Sequence, residues 1–314
     1  MTTGKDNWQQ ATPIQKIHNE TNFVYIKRDD LLPLSFGGNK VRKAELFFRD
    51  MEEQQRDCIV TYGVTSSNHC RVIANMAARK GIPCWIVSPN ETNGNTFNKK
   101  MVHLFGAKYV FTPVSQVHET IEQLLFNLKR EGYAPYFVQG GGHGNLGTQA
   151  YINAYHEICE WENEHGMRFD YIFHASGTGT TQAGLVCGQL LRGDLHRRIV
   201  GISIARTMSK GRSVVVESVK EYLSAIGRTD LYRDDCIFFD DSYICGGYGI
   251  VNDEIRSTVI CVLKEECIPL CGTYTGKAFW GMESYLKLNQ ICNKNILFIH
   301  TGGTPLFFDD VKDL

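Results

Sequence analysis

The chain has 314 residues, with 33 Lys and Arg against 34 Asp and Glu, and 43% of its residues are hydrophobic. That length suits about two domains with substantial cores, and the near-neutral balance excludes an electrostatic grip on nucleic acid or anionic lipid as the main function. The polar start MTTGKDNWQQ, with no apolar run near the roughly 18 residues that span a bilayer, points to a cytoplasmic protein with neither membrane nor nucleic-acid partners. Eleven cysteines form no C-x-x-C pair, and no histidine stands at metal-ligand spacing, so no metal is expected. Most sit in apolar runs, such as Cys58 in CIVTY and Cys261 in VICVL, where a reduced thiol is a small buried hydrophobe.

In chain order, the first feature is Lys27-Arg28-Asp29-Asp30, followed by Ser35-Phe36-Gly37-Gly38-Asn39-Lys40-Val41-Arg42-Lys43. Two glycines lead into Lys40, which opens a helix at the positive end of its dipole. That setting lowers the pKa of the amine and suits a nucleophile able to form a Schiff base. Lys43 lies one turn on and can touch the same anion. A solvated basic helix start is the plainer alternative.

From residue 58 onward, short β-branched and aromatic runs alternate with helical patterns, the signature of parallel βαβ units. Strands are expected over 58–62, 84–87, 108–112, 136–138, 171–175, 199–204 and 296–300. Helices are expected over 68–80, 96–105, 116–130, 147–162, 181–191, 213–225, 252–267 and 277–288. Parallel strands need crossovers that cover both sheet faces, so the class is α/β, in two lobes of three αβα layers. A small lobe over 53–162 is read as inserted into a large one built from 1–52 and 163–314. Ligands in such sheets bind at the carboxyl ends of strands, where the remaining motifs fall.

After the first of these strands comes Thr65-Ser66-Ser67-Asn68-His69, which is either an N-cap or a carboxylate cup. After YIFHA comes Ser176-Gly177-Thr178-Gly179-Thr180-Thr181, opening the helix QAGLVCGQLL. Glycines there admit backbone N–H groups to an anion, and threonines add donors. It is neither G-x-x-x-x-G-K-[ST] nor a good G-x-G-x-x-G, so a single phosphate monoester fits better than a triphosphate or a dinucleotide. A tight βα turn without a ligand is the alternative. Tyr248 in GGYG, Tyr274-Thr275-Gly276-Lys277 and His300-Thr301-Gly302-Gly303 place further hydroxyls beside glycines.

Taken together, KRDD, FGGNKVRK, SSNHCR, GTGTTQAGL, YTGKA and HTGG resemble the pyridoxal-phosphate enzymes of the tryptophan-synthase-β-like fold, in particular the family of D-cysteine desulfhydrase and 1-aminocyclopropane-1-carboxylate (ACC) deaminase. The resemblance runs over nearly the whole chain and implies a homodimer. It implies that Lys40 carries pyridoxal 5'-phosphate as a Schiff base, that Asn68 bonds the phenolic oxygen, and that Thr178, Gly179, Thr180 and Thr181 hold the phosphate. Lys43, Thr275 and Thr301 complete the cofactor set. Ser67, Asn68 and His69 are implied at the substrate carboxylate, and Tyr248 and Tyr274 near the reacting carbon. Lys40, freed by the incoming amino acid, would take the α-proton, and loss of a β-substituent would yield pyruvate and ammonia.

The residue after Tyr274 separates the branches. ACC deaminases typically carry Glu there, which would hold the pyridine nitrogen protonated, whereas Thr275 resembles the desulfhydrases. His69 is similar to that branch too, where ACC deaminases have Gln. The chain departs from the family at Cys271-Gly272-Thr273 in place of Asp-Pro-Val, at Gly141-Gly142-His143-Gly144 in place of Gly-Gly-Ser-Asn, and over 240–249 except at Tyr248. These loops leave room for another β-substituted amino acid or a dedicated biosynthetic role. The expected reaction is elimination from a small D-cysteine-like amino acid. ACC ring opening, β-replacement and a catalytically silent binder of cofactor or amino acid are the alternatives.

Overall fold

The computed structural model describes residues 10–90 and 94–311. An edge pair, β1 (Ile14–Lys16) and β2 (Phe23–Lys27), leads into α1 (Asn39–Glu53). Four strand–helix units follow: β3 (Cys58–Tyr62) and α2 (Asn68–Lys80), β4 (Cys84–Pro89) and α3 (Phe97–Leu104), β5 (Lys108–Thr112) and α4 (Val117–Arg130), β6 (Pro135–Val138) and α5 (Asn145–His165). Then come β7 (Tyr171–Ser176), α6 (Thr180–Arg192), β8 (Arg198–Ser203), α7 (Met208–Ala225), β9 (Phe238–Asp240), α8 (Asp253–Glu266), α9 (Lys277–Leu288), β10 (Asn295–Ile299) and α10 (Thr304–Val311).

The strands form two sheets, one of six in the order β1-β2-β10-β7-β8-β9 and one of four in the order β5-β4-β3-β6. All pairings are parallel except β1 against β2. Strand interiors are buried on both faces, as in Cys58, Ile59, Val60 and Thr61 of β3, because helices cover each side. Ser67 caps α2, its Oγ accepting the amide hydrogens of His69 at 3.2 Å and Cys70 at 3.4 Å, and Gly81 ends that helix in the left-handed region.

The α/β class and the seven expected strands hold, with ends shifted by a residue or two. Sequence patterning did not mark β1, β2, β9 or α10. β1 and β9 are three residues long, too short for a period to register. Helix α7 starts five residues before its expected start because Gly211, which reads as a breaker, serves packing: a Cβ there would sit 2.0 Å from Cζ of Phe239 on β9. Two helices join a different core from the one the expected 53–162 lobe assigns them. Val41, Phe48 and Met51 of α1 pack with Ile59, Ile86 and Val138 of the smaller sheet. Tyr151, Tyr155 and Ile158 of α5 pack with Ile172, Val186 and Leu297 of the larger one. Glycines on α6 let α5 approach closely: a Cβ at Gly184 would meet the Thr148 carbonyl oxygen at 2.3 Å.

Candidate active site

A cavity of about 600 Å³ opens where segments from both sheets meet. Its walls follow the carboxyl ends of strands: Tyr62–Asn68 after β3, Gln139–His143 after β6, Ser176–Gly179 after β7, Ile204–Arg206 after β8, and Thr301 and Gly302 after β10. Lys40 enters from the first turn of α1. Its Nζ donates to the Gly141 carbonyl at 2.8 Å. Burial lowers its pKa to about 8, with the Cys70 thiol acting the other way, so a sizeable fraction of free amine exists near neutrality.

The start of α1 is held by a buried charge network. Arg42 reaches Asp29 at 2.8 and 3.0 Å and Glu157 of α5 at 2.5 and 2.8 Å, while Lys27 binds Glu157 at 2.8 Å. Burial alone would raise the Asp29 pKa, but Arg42 and Lys27 overturn that and hold it at about 2. Three residues past Lys40, Lys43 is fully buried and its Nζ donates to Thr180 Oγ1 at 2.6 Å. Burial, and then the charge of Lys40, drives its pKa well down.

The Ser176–Thr181 turn puts Gly179 at φ +91, a conformation that favours glycine, just before the N-terminus of α6. Asn39 Nδ2 donates to Thr181 Oγ1 at 3.1 Å, and His143 Nδ1 lies 3.3 Å from the Thr178 carbonyl, to which it can only donate. The C-terminal HTGG reaches α1 through bare backbone: a Cβ on Gly302 would lie 2.6 Å from Cα of Gly38. On the other side, the Tyr248 and Tyr274 hydroxyls hydrogen-bond and the rings cross edge-to-face at 5.8 Å. Burial raises both phenol pKa values, that of Tyr274 far above the usual tyrosine range. Tyr274 sits on a wide turn, Gly272–Gly276, closed by the Gly276 N–H to the Cys271 carbonyl at 2.8 Å.

Lys40, Ser67, Asn68, His69, Thr178, Gly179, Thr181, Tyr248, Tyr274 and Thr301 all line this one cavity. Lys43, Thr180 and Thr275 do not; they stand one layer behind. Thr275 is fully buried and its Oγ1 is engaged by Cys271, accepting from the backbone N–H at 3.0 Å and lying 3.6 Å from Sγ. His69 touches the cavity but its Nε2 is spent on Thr61 Oγ1 at 2.8 Å. Since Thr61 donates its own hydrogen to the Val138 carbonyl, His69 Nε2 is the protonated nitrogen. Burial, then Lys40 and Lys43, keeps that ring neutral. Sequence reasoning missed Gln139, Arg206 and Glu217, which also line the cavity, as does His143 of the loop where the chain departs from the family. The glycine run 140–142 was the available signal, since a Cβ on Gly141 would come within 2.6 Å of Thr178 Cγ2.

A lysine of depressed pKa, a glycine-opened helix N-terminus with threonine donors and an amide facing the same hollow fit pyridoxal phosphate: an aldehyde for Lys40, a phosphate for the 178–181 turn. The fold and cavity thus define an α/β enzyme whose cleft holds a lysine of lowered pKa beside a glycine-rich helix start. The model of the pyridoxal-phosphate dependent enzymes matches residues 6–302, and the chain belongs to that family. It is 32% identical to a D-cysteine desulfhydrase of Yersinia pestis (strain Pestoides F), over 95% of this chain and 93% of that protein. It is 33% identical to a putative 1-aminocyclopropane-1-carboxylate deaminase of Pyrococcus furiosus, over 93% of this chain and 89% of that protein. Among solved structures it superposes on an ACC deaminase homologue with a TM-score of 0.86 at 31% identity, covering 96% of this chain and 93% of the other.

Proposed function

We propose that the chain is a lyase of small β-substituted amino acids, D-cysteine-like by preference, working as a homodimer. The observation that carries this reading is the convergence of Lys40, the Ser67 helix cap and the Tyr248–Tyr274 pair on one cavity. When bound, the cofactor supplies an electron sink for charge developing at the substrate α-carbon. Ser67 and the N-terminal amides of α2 face the substrate carboxylate, where helix polarity favours an anion. Lys40, its amine partly free near neutral pH, takes the α-proton at Nζ. Tyr248 and Tyr274 keep their protons at that pH and can deliver one to a departing sulfur at their hydroxyl oxygens. With D-cysteine and one water, the products are pyruvate, ammonia and hydrogen sulfide.

Ring opening of ACC is the second reading, favoured by the likeness to the Pyrococcus protein and to the ACC deaminase homologue. Against it stands Thr275, a neutral hydroxyl turned to Cys271 where that branch typically has a carboxylate. One panel separates them: D- and L-cysteine, other small β-substituted amino acids and ACC, read by pyruvate, sulfide and α-ketobutyrate release. We expect sulfide and pyruvate from D-cysteine, with borohydride fixing the cofactor on Lys40. Label on another lysine, or turnover of ACC alone, would sink the proposal.

A further inference from the structure

Two buried side chains behind Asn68 have no part in the chemistry above. Asn98, near the start of α3, is wholly buried and spends both amide hydrogens, donating from Nδ2 to the Ser66 carbonyl at 2.7 Å and to Asn68 Oδ1 at 2.9 Å. Arg71, one turn beyond Asn68 on α2, is also wholly buried. Its Nη2 donates to the same Asn68 Oδ1 at 3.4 Å, and its Nη1 to the carbonyl and, at 3.3 Å, the hydroxyl of Ser35. The oxygen of Asn68 is therefore occupied from behind. Its own amide hydrogens are left on the side of Gly303, next to the cavity-lining Gly302; Nδ2 lies 3.6 Å from where a Cβ of Gly303 would stand.

Arg71 is also unbalanced. No carboxylate pairs with it among the described residues, its Nε has no partner, and its remaining contact is the Phe36 ring, 5.8 Å from the guanidinium. Burial lowers its pKa to about 9, so it stays charged at neutral pH. A guanidinium without a counter-ion is costly to keep in a protein interior, and such costs concentrate where charge does a task. The one hydrogen-bonded neighbour of Arg71 that reaches the cavity is Asn68.

We infer that Asn98 and Arg71 are positioning residues for the cofactor: together they aim the Asn68 amide at its phenolic oxygen, and the unpaired charge of Arg71 favours the anionic form of that oxygen. This rests on the reading that Lys40 and Asn68 hold pyridoxal phosphate. Both effects bear on the Lys40 nitrogen once the cofactor is attached. A positive charge nearby disfavours its protonation, and an amide N–H that shares the phenolic charge weakens that oxygen's hold on the proton. Lys43, His69, Cys70, the two tyrosines and, on the cavity wall, His143, Arg206 and Glu217 are the other titratable groups around that nitrogen, and the variants leave all of them in place.

The test is a pH titration of the visible absorption band of the cofactor-loaded protein, with cofactor affinity measured by equilibrium dialysis. Arg71→Met should raise the midpoint by about one unit, tenfold in the proton equilibrium, and weaken cofactor binding. Arg71→Lys, which restores the charge, should recover most of the midpoint. Asn98→Asp is nearly isosteric, cannot donate to Asn68 and neutralises Arg71, so it should move the midpoint the same way; it carries the test alone if Arg71→Met does not fold. Folded variants with an unmoved midpoint and unchanged affinity would overturn the inference while leaving the cofactor reading intact. Failure of borohydride to fix cofactor on Lys40 in the unaltered chain would overturn both.

Discussion

Two parts of the cavity wall are built in opposite ways. The Ser176–Thr181 turn is one continuous segment between a fully parallel strand and a buried helix; Gly179, Thr180 and Thr181 are buried, and the turn is determined by its own residues. The wall that carries Tyr248 is a loop with little core of its own. Cys245, Gly246, Gly247 and Gly249 all have positive φ, and Tyr248 is 40% exposed. What secures this loop lies elsewhere in the chain: the Lys277 ammonium, at the start of α9, donates to the carbonyls of Ile204 at 3.2 Å, Ile244 at 2.9 Å and Gly247 at 2.8 Å. On the proposed function, the side that would hold an anion is rigid by local geometry, whereas the side that would meet the substrate is held by a single buried cation from elsewhere in the chain.

If the tyrosine wall does the proton work, removing a hydroxyl there should be the most damaging single-atom change. Tyr248→Phe and Tyr274→Phe should each lower kcat about 10²-fold with cofactor affinity unchanged. The double variant should be no worse than the poorer single one, since the two hydroxyls share a hydrogen bond. Additive losses in steady-state assays on D-cysteine would break the idea of a coupled pair.

Gly179→Ala attacks the rigid wall instead. At φ +91, with Val214 Cγ1 3.0 Å from the new Cβ, the substitution costs about 1–3 kcal/mol of strain. It should appear as a cofactor Kd raised about tenfold or more, while kcat at saturating cofactor changes little. Lys277→Met should do the reverse, removing three charge-assisted hydrogen bonds and freeing the loop. We expect kcat/KM down about tenfold, cofactor affinity retained, and added protease sensitivity over 241–252. Equal effects of both variants on cofactor affinity would erase the contrast between the walls.

The same contrast explains what could be read from sequence. The Ser176–Thr181 turn is legible because its strand, glycines and helix are adjacent in the chain, so local chemistry states the local fold. Lys40 and the Ser67 cap are legible for the same reason. The surroundings of Thr275 were not legible, because its hydroxyl's partners lie on Cys271, four residues back on a wide turn that no periodicity marks. Arg206 and Glu217 escaped because they come from a loop and a helix that carry no motif and meet the cavity only in the tertiary fold. The packing of α1 and α5 was hidden likewise: each stands in sequence between a strand of one sheet and a strand of the other, so adjacency does not say which core it joins.

The smallest expected effect concerns Cys245, three residues before Tyr248 in the loop where the chain departs from the family. It does not line the cavity, and burial raises the pKa of its thiol, with the Lys277 charge acting the other way. A raised pKa means little thiolate at neutral pH and therefore little nucleophilic character. Because the loop is fixed through the carbonyls of its neighbours Ile244 and Gly247, the side chain at 245 carries none of that attachment. Cys245→Ala should leave stability within about 0.5 kcal/mol and the ratio of D-cysteine to ACC turnover within about twofold, since no cavity contact is removed. A larger change in that ratio, measured side by side with Lys277→Met, would show that the thiol itself reaches the substrate, and that the loop is more than a tethered support for Tyr248.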